Sequence, residues 1–258
     1  MILYTYFRSS AAYRARLALS LKGIAYEARF VHLLRDGGEQ LKPGYRRLNP
    51  LGRVPTLIDG ERVFTQSVAI MEYLEEAYPR PAIMPGEPVA RAQARAITQV
   101  LAADTQPLQN LAVSRYLGQV MNQPKPAIDA WMRHWMNNGL AALEELLAGF
   151  AGGVGSAGEG GSSSGGVGSG VGSSLSGGSG VSGGSAGGAV AKSIAETPFC
   201  IGDFPTIADI CLVAQCFASR RLAVPIERYP RVARIEAHCR ALPAFQVAAP
   251  ERQPDFET

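Results

Sequence analysis

This 258-residue sequence lacks the features that would indicate a membrane protein, a secreted protein or a nucleic-acid-binding protein. No apolar run approaches the roughly 20 residues that a membrane-spanning helix needs. The apolar stretch at residues 2–7 is too short for a signal peptide. The formal net charge is only +3, with 18% charged residues. Composition therefore indicates neither a nucleic acid nor an anionic membrane surface as a partner.

Cysteine is equally scarce. The four cysteines all lie in the last quarter of the chain, without the spacing of a metal-binding motif; they are Cys200, Cys211, Cys216 and Cys239. Two of them fall in a helical apolar pattern, where buried free thiols behave as small hydrophobes. We therefore expect a reduced, cytoplasmic protein without disulfide bonds and without a metal.

Glycine and serine are concentrated in one segment. The 40 residues 151–190 contain 18 of the 29 glycines, 11 serines and a single charged residue, Glu159. This composition cannot bury enough apolar surface to offset the entropy of ordering, so we expect a disordered insertion at 151–191. A phosphate-binding loop is excluded because no Gly-Lys-Ser/Thr pattern is present and no strand precedes the segment.

The first 80 residues alternate strands and helices. Apolar runs predict strands at 2–6, 25–31, 56–58 and 62–64, and amphipathic patterns predict helices at 10–21 and 67–78. Asp59-Gly60 is typical of a tight hairpin turn. This order predicts a small thioredoxin-like α/β unit. Val54-Pro55, just before the third strand, is either a cis bond or an ordinary trans proline that starts a strand.

After residue 80 the pattern becomes helical. Prolines at 81–88 indicate a linker that a helix cannot cross without penalty. The apolar spacing then predicts helices at 89–117 with a break or kink at Pro107, and at 126–147, 206–223 and 230–241. We expect an α/β domain at 1–80, a linker at 81–88 and an all-α helical domain at 89–258, interrupted by the insertion.

Thr206 and Asp209 have the spacing of a capping box. The threonine hydroxyl can accept from the first amides of a helix, and the aspartate three residues later can accept from the Thr206 amide. Asp209 could instead be a catalytic acid. We favour the capping role, because it accounts for both the residue type and its position.

Two serines, Ser9 and Ser10, follow the first strand and begin the first helix. A helix N-terminus stabilises an anion such as a thiolate. Because the chain's own cysteines lie elsewhere, such a thiolate would belong to a ligand, as in a glutathione site. The same serines could also be capping residues and no more, so the residues alone leave both roles open.

Motifs along the whole chain, apart from the insertion, resemble those of zeta-class glutathione transferases, the group that includes maleylacetoacetate isomerase. In chain order these motifs are Tyr6-Phe7-Arg8-Ser9-Ser10, Leu21-Lys22-Gly23-Ile24, Asp36-Gly37-Gly38, Leu48-Asn49-Pro50, Val54-Pro55-Thr56-Leu57, Gln66-Ser67-Val68-Ala69-Ile70, Glu72-Tyr73-Leu74-Glu75-Glu76, Gln106-Pro107-Leu108-Gln109-Asn110-Leu111, Gly202-Asp203, Thr206-Ile207-Ala208-Asp209 and Arg252-Gln253-Pro254-Asp255. Each is weak alone, but together and in order they are specific.

The resemblance implies the glutathione transferase architecture, a homodimer, and glutathione as cofactor. Ser9 would donate to the glutathione sulfur, with Ser10 as the alternative donor. Ser67 would hold the γ-glutamyl carboxylate and Val54 would pair with the cysteinyl backbone. The full set of glutathione-binding residues that it implies is Ser9, Ser10, Gln40, Val54, Pro55, Gln66, Ser67, Gln106 and Asn110.

The activity implied is glutathione-dependent cis–trans isomerisation of a maleyl keto acid, maleylacetoacetate to fumarylacetoacetate, in the breakdown of aromatic compounds. The substrate is a dianion, and the resemblance assigns its carboxylates to Arg8 and Arg221; Arg8 is also counted with Ser9 and Ser10 as catalytic. Arginine suits this role because its fork binds a carboxylate bidentately. We expect Arg14 and Arg16 to be exposed. Tyr6 and Tyr13 are interpreted as pocket or packing residues.

One departure from the family pattern affects the substrate assignment. The family motif Ser-Ser-Cys is Ser9-Ser10-Ala11 here, and related maleylpyruvate isomerases also lack that cysteine. Maleylpyruvate is therefore an alternative substrate. A conjugating or dehalogenating transferase, which consumes glutathione, is a second alternative, and a non-catalytic binding module of the same fold is a third.

Overall fold

The computed structural model describes residues 1–152 and 197–257. Nearly all of the segment at 151–191, where the sequence predicts a disordered insertion, lies outside the described residues. Within the described ranges no helix is long and apolar enough to cross a membrane.

The first part of the chain forms a four-stranded mixed sheet. Its strands are β1 (Ile2–Thr5), β2 (Glu27–Phe30), β3 (Thr56–Asp59) and β4 (Arg62–Thr65), in the spatial order β2-β1-β3-β4. The β1–β2 pair is parallel, whereas β3 is antiparallel to both β1 and β4. The parallel pair requires a crossover helix, and a two-residue loop suffices between β3 and β4. This is the thioredoxin-like sheet that the sequence predicts.

The Val54–Pro55 peptide bond at the entry to β3 is cis, which confirms the first of the two alternatives. Three helices accompany the sheet: α1 (Ser10–Leu21), the single-turn α2 (Pro43–Arg46) and α3 (Ser67–Ala77). The predicted helix at 10–21 is confirmed to the residue, and the second ends one residue earlier than expected.

The remainder of the described chain is helical. Its helices are α4 (Pro88–Gln99), α5 (Leu111–Gln119), α6 (Lys125–Gly152), α7 (Ile207–Arg220), α8 (Pro230–Ala241) and α9 (Pro243–Ala248). Proline occupies the first turn of α4, α8 and α9, where the missing amide hydrogen costs no helical hydrogen bond. The sequence therefore predicts the helical class of this part correctly.

The long helix predicted at 89–117 is interrupted earlier than expected. A π-helical turn occupies Val100–Thr105, and a 3-10 turn at Gln106–Gln109 leads into α5. Pro107 disfavours a helical conformation before it, and the Thr105 hydroxyl donates to the Val100 carbonyl at 2.7 Å. A Cβ atom on Gly139 of α6 would overlap the Thr105 side chain. The interruption is therefore packed directly against the α6 backbone.

Helix α1 is the element that joins the two parts. It packs against α3 beside the sheet and against α7 and α9 of the helical part. Nine of its twelve residues are buried, including both arginines. Because α1 has buried neighbours on several sides, the side chains at its N-terminal end are fixed by both parts of the fold.

The start of α7 is held by the predicted capping box, which the structure confirms. The Thr206 hydroxyl accepts from the Ala208 amide at 3.3 Å. One Asp209 oxygen accepts from the Thr206 amide at 2.8 Å, and the other accepts from the Cys200 amide at 2.7 Å. Asp209 is fully buried, and both of its oxygens are occupied. These contacts support a structural role.

We expect Asp209→Ala to lower the free energy of unfolding by about 2–4 kcal/mol, because it leaves buried amides without acceptors. Thr206→Ala should cost about 1 kcal/mol as the loss of a helix cap. Denaturant titration measures both effects, and the turnover of the remaining folded protein should stay unchanged. Normal stability combined with lost turnover would instead identify Asp209 as catalytic.

Candidate active site

The turn between β1 and α1 presents the two serines. Ser9 has extended backbone angles (φ −78°, ψ 114°) and its hydroxyl oxygen accepts from the Ala12 amide at 3.2 Å. Ser9 is therefore the N-cap of α1, whereas Ser10, considered a plausible cap from the sequence, is the first helical residue. A hydroxyl that accepts from an amide keeps its hydrogen for donation. Ser9 can cap the helix and donate to an anion at the same time.

Arg16 fixes this turn from beneath. Its side chain is fully buried, and its Nη1 donates to the Thr5 hydroxyl at 2.9 Å and to the Tyr6 carbonyl at 3.3 Å. Its Nη2 donates to the Phe7 carbonyl at 3.3 Å. The expectation that Arg14 and Arg16 are exposed is wrong, because α1 is covered by the helical part as well as by the sheet.

The C-terminal segment holds the same turn from the other side. One Asp255 oxygen accepts from the Phe7 amide at 2.9 Å, and the rings of Phe7 and Phe256 lie edge to face with centroids 5.3 Å apart. Glu257 forms an ion pair with Arg35 at 2.9 Å. The ends of the chain therefore meet directly behind the serines.

A cavity of about 1050 Å3 opens in front of the turn. Every site residue selected from the sequence lines it: Arg8, Ser9, Ser10, Gln40, Val54, Pro55, Gln66, Ser67, Gln106, Asn110 and Arg221. The structure thus brings together residues that the sequence spreads over more than 200 positions. Asn110 is also the N-cap of α5, and its side chain accepts from the Ala112 amide at 2.9 Å.

Several polar groups at the cavity wall have no protein partner within the described ranges. The Oε1 atom of Gln40 is buried and unpaired, although Nε2 donates to the Leu33 carbonyl at 3.3 Å. The main-chain amide and carbonyl of Val54 form no hydrogen bond with described residues. Buried polar groups are rarely left unsatisfied in proteins. The cavity is therefore shaped for a ligand with peptide-like donors and acceptors.

The N-terminus of α3 is likewise open toward the cavity. Gln66 precedes it in the left-handed region (φ +66°) and provides no side-chain cap, and the first turn has no acidic residue. Ser67 is buried, and its hydroxyl oxygen accepts from Nε of Arg14 at 2.9 Å. Free amides at a helix N-terminus favour an anion. The N-terminus of α3 is therefore suited to bind an anion such as a carboxylate.

Arg8 and Arg221 lie together at the cavity. The Arg221 guanidinium donates to the Arg8 main-chain carbonyl at 3.3 Å and lies over the Phe217 ring at 6.0 Å. Desolvation in the cleft, and then the charge of Arg8, lower the pKa of Arg221. Two cations held close together are relieved by an anion between them.

The chain's own thiols are unsuited to nucleophilic chemistry. All four cysteines are buried and free, and burial raises the pKa of each thiol: Cys200, Cys211, Cys216 and Cys239. Burial also raises the pKa of the Tyr6 and Tyr13 phenols. A thiolate at the α1 N-terminus would therefore have to come from a ligand. No group of metal-binding side chains occurs among the described residues.

The sequence missed two residues of the site. Arg14 lines the cavity although it was expected to be exposed, and its position one turn after Ser10 on the same helix face was the available signal. Asp255 was quoted as part of a motif without a role. Its contact with Phe7 spans 248 residues, and no local pattern indicates it.

Comparisons with known proteins agree with this geometry. Residues 8–77 match the family model described as "Glutathione S-transferase, N-terminal domain". The probable maleylacetoacetate isomerase of Vibrio cholerae is 38% identical, covering 99% of this chain and 98% of the relative. A Methylobacterium extorquens maleylacetoacetate isomerase, solved with bound malonate and GSH, is 34% identical with a TM-score of 0.78. The holo structure of a bacterial zeta-class maleyl pyruvate isomerase is 33% identical with the same TM-score. Both structural matches cover 100% of each chain.

The thioredoxin-like sheet, the helical part and the matched N-terminal family model together define a glutathione transferase. Similarity over the full length of the curated and solved relatives identifies the class of glutathione transferase. The chain belongs to the zeta class of the glutathione transferase family.

The geometry of the turn predicts unequal roles for the two serines. With glutathione added, we expect Ser9→Ala to raise the pKa of the bound thiol by about 1–2 pH units, because a hydrogen bond to the thiolate is lost. The ultraviolet absorbance of the thiolate measures this value. Ser9→Thr keeps the hydroxyl and should leave the pKa of the bound thiol unchanged. Ser10→Ala serves as the matched control. A larger effect from Ser10→Ala would reverse the assignment.

Proposed function

We propose that this protein is a glutathione-dependent cis–trans isomerase of a maleyl keto acid, with maleylacetoacetate as substrate. The observation that carries the proposal is a cavity in which a serine-capped helix N-terminus lies beside two cavity-lining arginines. A thiolate and a dicarboxylate could be held side by side there. The names of the full-length relatives support the same assignment.

The charge of the cavity wall favours anionic ligands. Its described lining contains one acidic residue, Asp129, which pairs with Lys125 at 2.7 Å. The basic residues of the lining are Arg8, Arg14, Arg53, Arg115, Lys125 and Arg221. A cleft lined by charge of one sign concentrates ligands of the opposite sign.

The residues present fit glutathione. Val54 offers a free amide and carbonyl for the cysteinyl backbone, and the Gln40 Oε1 atom offers an unpaired acceptor. Ser67 opens a helix N-terminus without a cap, which suits the γ-glutamyl carboxylate. By resemblance, Pro55, Gln66, Gln106 and Asn110 complete the binding site, and all four line the cavity.

When bound, glutathione supplies a thiolate whose reversible addition to the conjugated double bond permits rotation about it. Ser9, with Ser10 as the alternative, stabilises that thiolate by donating a hydrogen bond, and the α1 N-terminus adds a favourable partial charge. Arg8 and Arg221 hold the substrate carboxylates and orient the double bond toward the sulfur. The four buried thiols of the chain itself have no role in the proposed reaction.

Maleylpyruvate is a second candidate substrate. Ala11, which replaces the family cysteine, lines the cavity and can neither donate to a thiolate nor form a mixed disulfide. Isomerisation does not need that cysteine, because the nucleophile belongs to glutathione. The similarity to a maleyl pyruvate isomerase structure is compatible with this alternative but does not separate it from maleylacetoacetate, because the maleylacetoacetate isomerase structure matches equally well.

The homodimer and the cytoplasmic location expected from the sequence stay predictions, as do the domain limits at residue 80 and residue 89. We propose the homodimer by family membership; a monomer mass in light scattering would contradict it.

The proposed reaction predicts a specific requirement for glutathione. Maleylacetone, a substrate analogue, should convert to the trans product, followed by its ultraviolet absorbance, much faster with protein and glutathione together than with either one alone. The glutathione concentration should stay constant, because the thiol is regenerated in each cycle. Consumption of glutathione would identify a conjugating transferase. Glutathione binding without isomerisation would indicate a binding module.

Arg8 and Arg221 should act on the substrate. We expect Arg8→Met and Arg221→Met each to raise KM for the dianionic maleylacetoacetate by about 10- to 100-fold through loss of a charged hydrogen bond. The affinity for glutathione should change little. Maleylacetone has one carboxylate, so at least one of the two substitutions should raise KM less for maleylacetone than for the dianionic maleylacetoacetate. Arg95→Met, which removes an exposed ion pair with Glu72, is the control. It should leave KM unchanged for both maleylacetoacetate and maleylacetone.

A further inference from the structure

Two buried arginines lie two residues apart on α1 in opposite surroundings. Arg16 is fully buried, and all three of its guanidinium nitrogens donate to Thr5 or to main-chain carbonyls. Arg14 is only 3% exposed. Within residues 1–152 and 197–257, its single hydrogen bond is the one from Nε to the Ser67 hydroxyl, at 2.9 Å. The two terminal nitrogens of Arg14 have no described partner.

The charge of Arg14 is also uncompensated. No carboxylate within the described ranges forms an ion pair with it, and burial lowers the pKa of its guanidinium. Truly isolated buried charges are costly, so such groups are normally paired. Because Arg14 lines the cavity, a ligand can provide the missing anion.

The neighbouring helix end needs the same kind of partner. Ser67 begins α3, whose first turn has neither a side-chain cap nor an acidic residue. Because Ser67 Oγ already accepts from Arg14 Nε, its hydroxyl hydrogen is free to donate. One carboxylate could therefore accept from the Arg14 fork, from the Ser67 hydroxyl and from the α3 amides.

We propose that Arg14 is a binding residue for the α-carboxylate of the γ-glutamyl group and supplies its buried countercharge. The inference rests on the proposed use of glutathione. The substrate carboxylates are the weaker candidates for this position, because Arg14 is deeply buried whereas Arg8 and Arg221 are more accessible. Arg14 and Ser67 then act as one unit, in which the arginine both binds the ligand and orients the serine hydroxyl.

The test compares two ligands by isothermal titration calorimetry. One is glutathione, and the other is 4-aminobutanoyl-cysteinylglycine, which lacks only the α-carboxylate. We expect Arg14→Met to weaken glutathione binding by about 10- to 100-fold, the effect of losing charged hydrogen bonds. The analogue should bind the parent protein and the variant equally, to within about 2-fold, because it lacks the α-carboxylate with which Arg14 is proposed to pair.

Stability separates this role from a structural one. Arg14→Met removes a buried charge without a partner, so the unliganded variant should be at least as stable as the parent in denaturant titration. Arg16→Met is the matched control on the same helix. It deprives several carbonyls of their donor, should lower stability, and should not alter the ratio of the affinities for the two ligands.

Equal weakening of both ligands by Arg14→Met, or no weakening of either, would overturn the inference. If Arg14→Met does not fold, Arg14→Lys decides. Lysine keeps the positive charge but not the forked guanidinium. Arg14→Lys should therefore weaken the binding of glutathione by less than the roughly 10- to 100-fold expected for Arg14→Met, and it should leave the binding of the analogue unchanged. Any other pattern would contradict the proposal. Failure of the parent protein to bind glutathione would overturn the proposed function as well.

Discussion

The position of Ser9 depends on the burial of Arg16. Residues 6–9 belong to neither a strand nor a helix, so their polar groups need partners outside regular secondary structure. The Arg16 guanidinium provides donors for the Tyr6 and Phe7 carbonyls, and these carbonyls in turn compensate a fully buried charge. Burying a cation is costly unless its donors are hydrogen-bonded. These hydrogen bonds hold the turn in the shape in which Ser9 caps α1 beside the cavity.

The same arginine connects the turn to the far end of the chain. Its Nε donates to the Ala248 carbonyl at 3.2 Å, and Asp255 accepts from the Phe7 amide on the other side of the turn. The segment after α9 thus contributes to the geometry of a site whose chemical groups lie near the N-terminus. The C-terminal part therefore does more than close the cavity. Without it, Arg16 Nε and the Phe7 amide would lose their hydrogen-bond partners. Global folding and the placement of the serine are consequently coupled.

Local chemistry explains what the sequence predicted well. The serines before α1, the capping box at Thr206 and Asp209, and the hairpin at Gly60 are each specified within a few residues. The family resemblance selected residues that the fold does bring to one cavity. The burial of Arg14 and Arg16 was missed because helical periodicity identifies an apolar face but not a second covering layer. The π turn at 100–105 was missed because its close packing against Gly139 is a long-range contact, which no local pattern encodes.

The cavity shows how a nearly neutral chain can be selective for anions. The whole sequence has a net charge of +3, yet the one acidic residue in the described lining is already paired, and six basic residues line the same space. Placement, not composition, creates the positive potential, and the N-termini of α1 and α3 add to it. The basic groups are also divided by depth, with Arg14 buried beside α3 and Arg8 and Arg221 more accessible. Such a division allows one anionic ligand to stay bound at depth while another exchanges above it. That arrangement suits an isomerase that regenerates its thiol cofactor and releases a dicarboxylate product at each turnover.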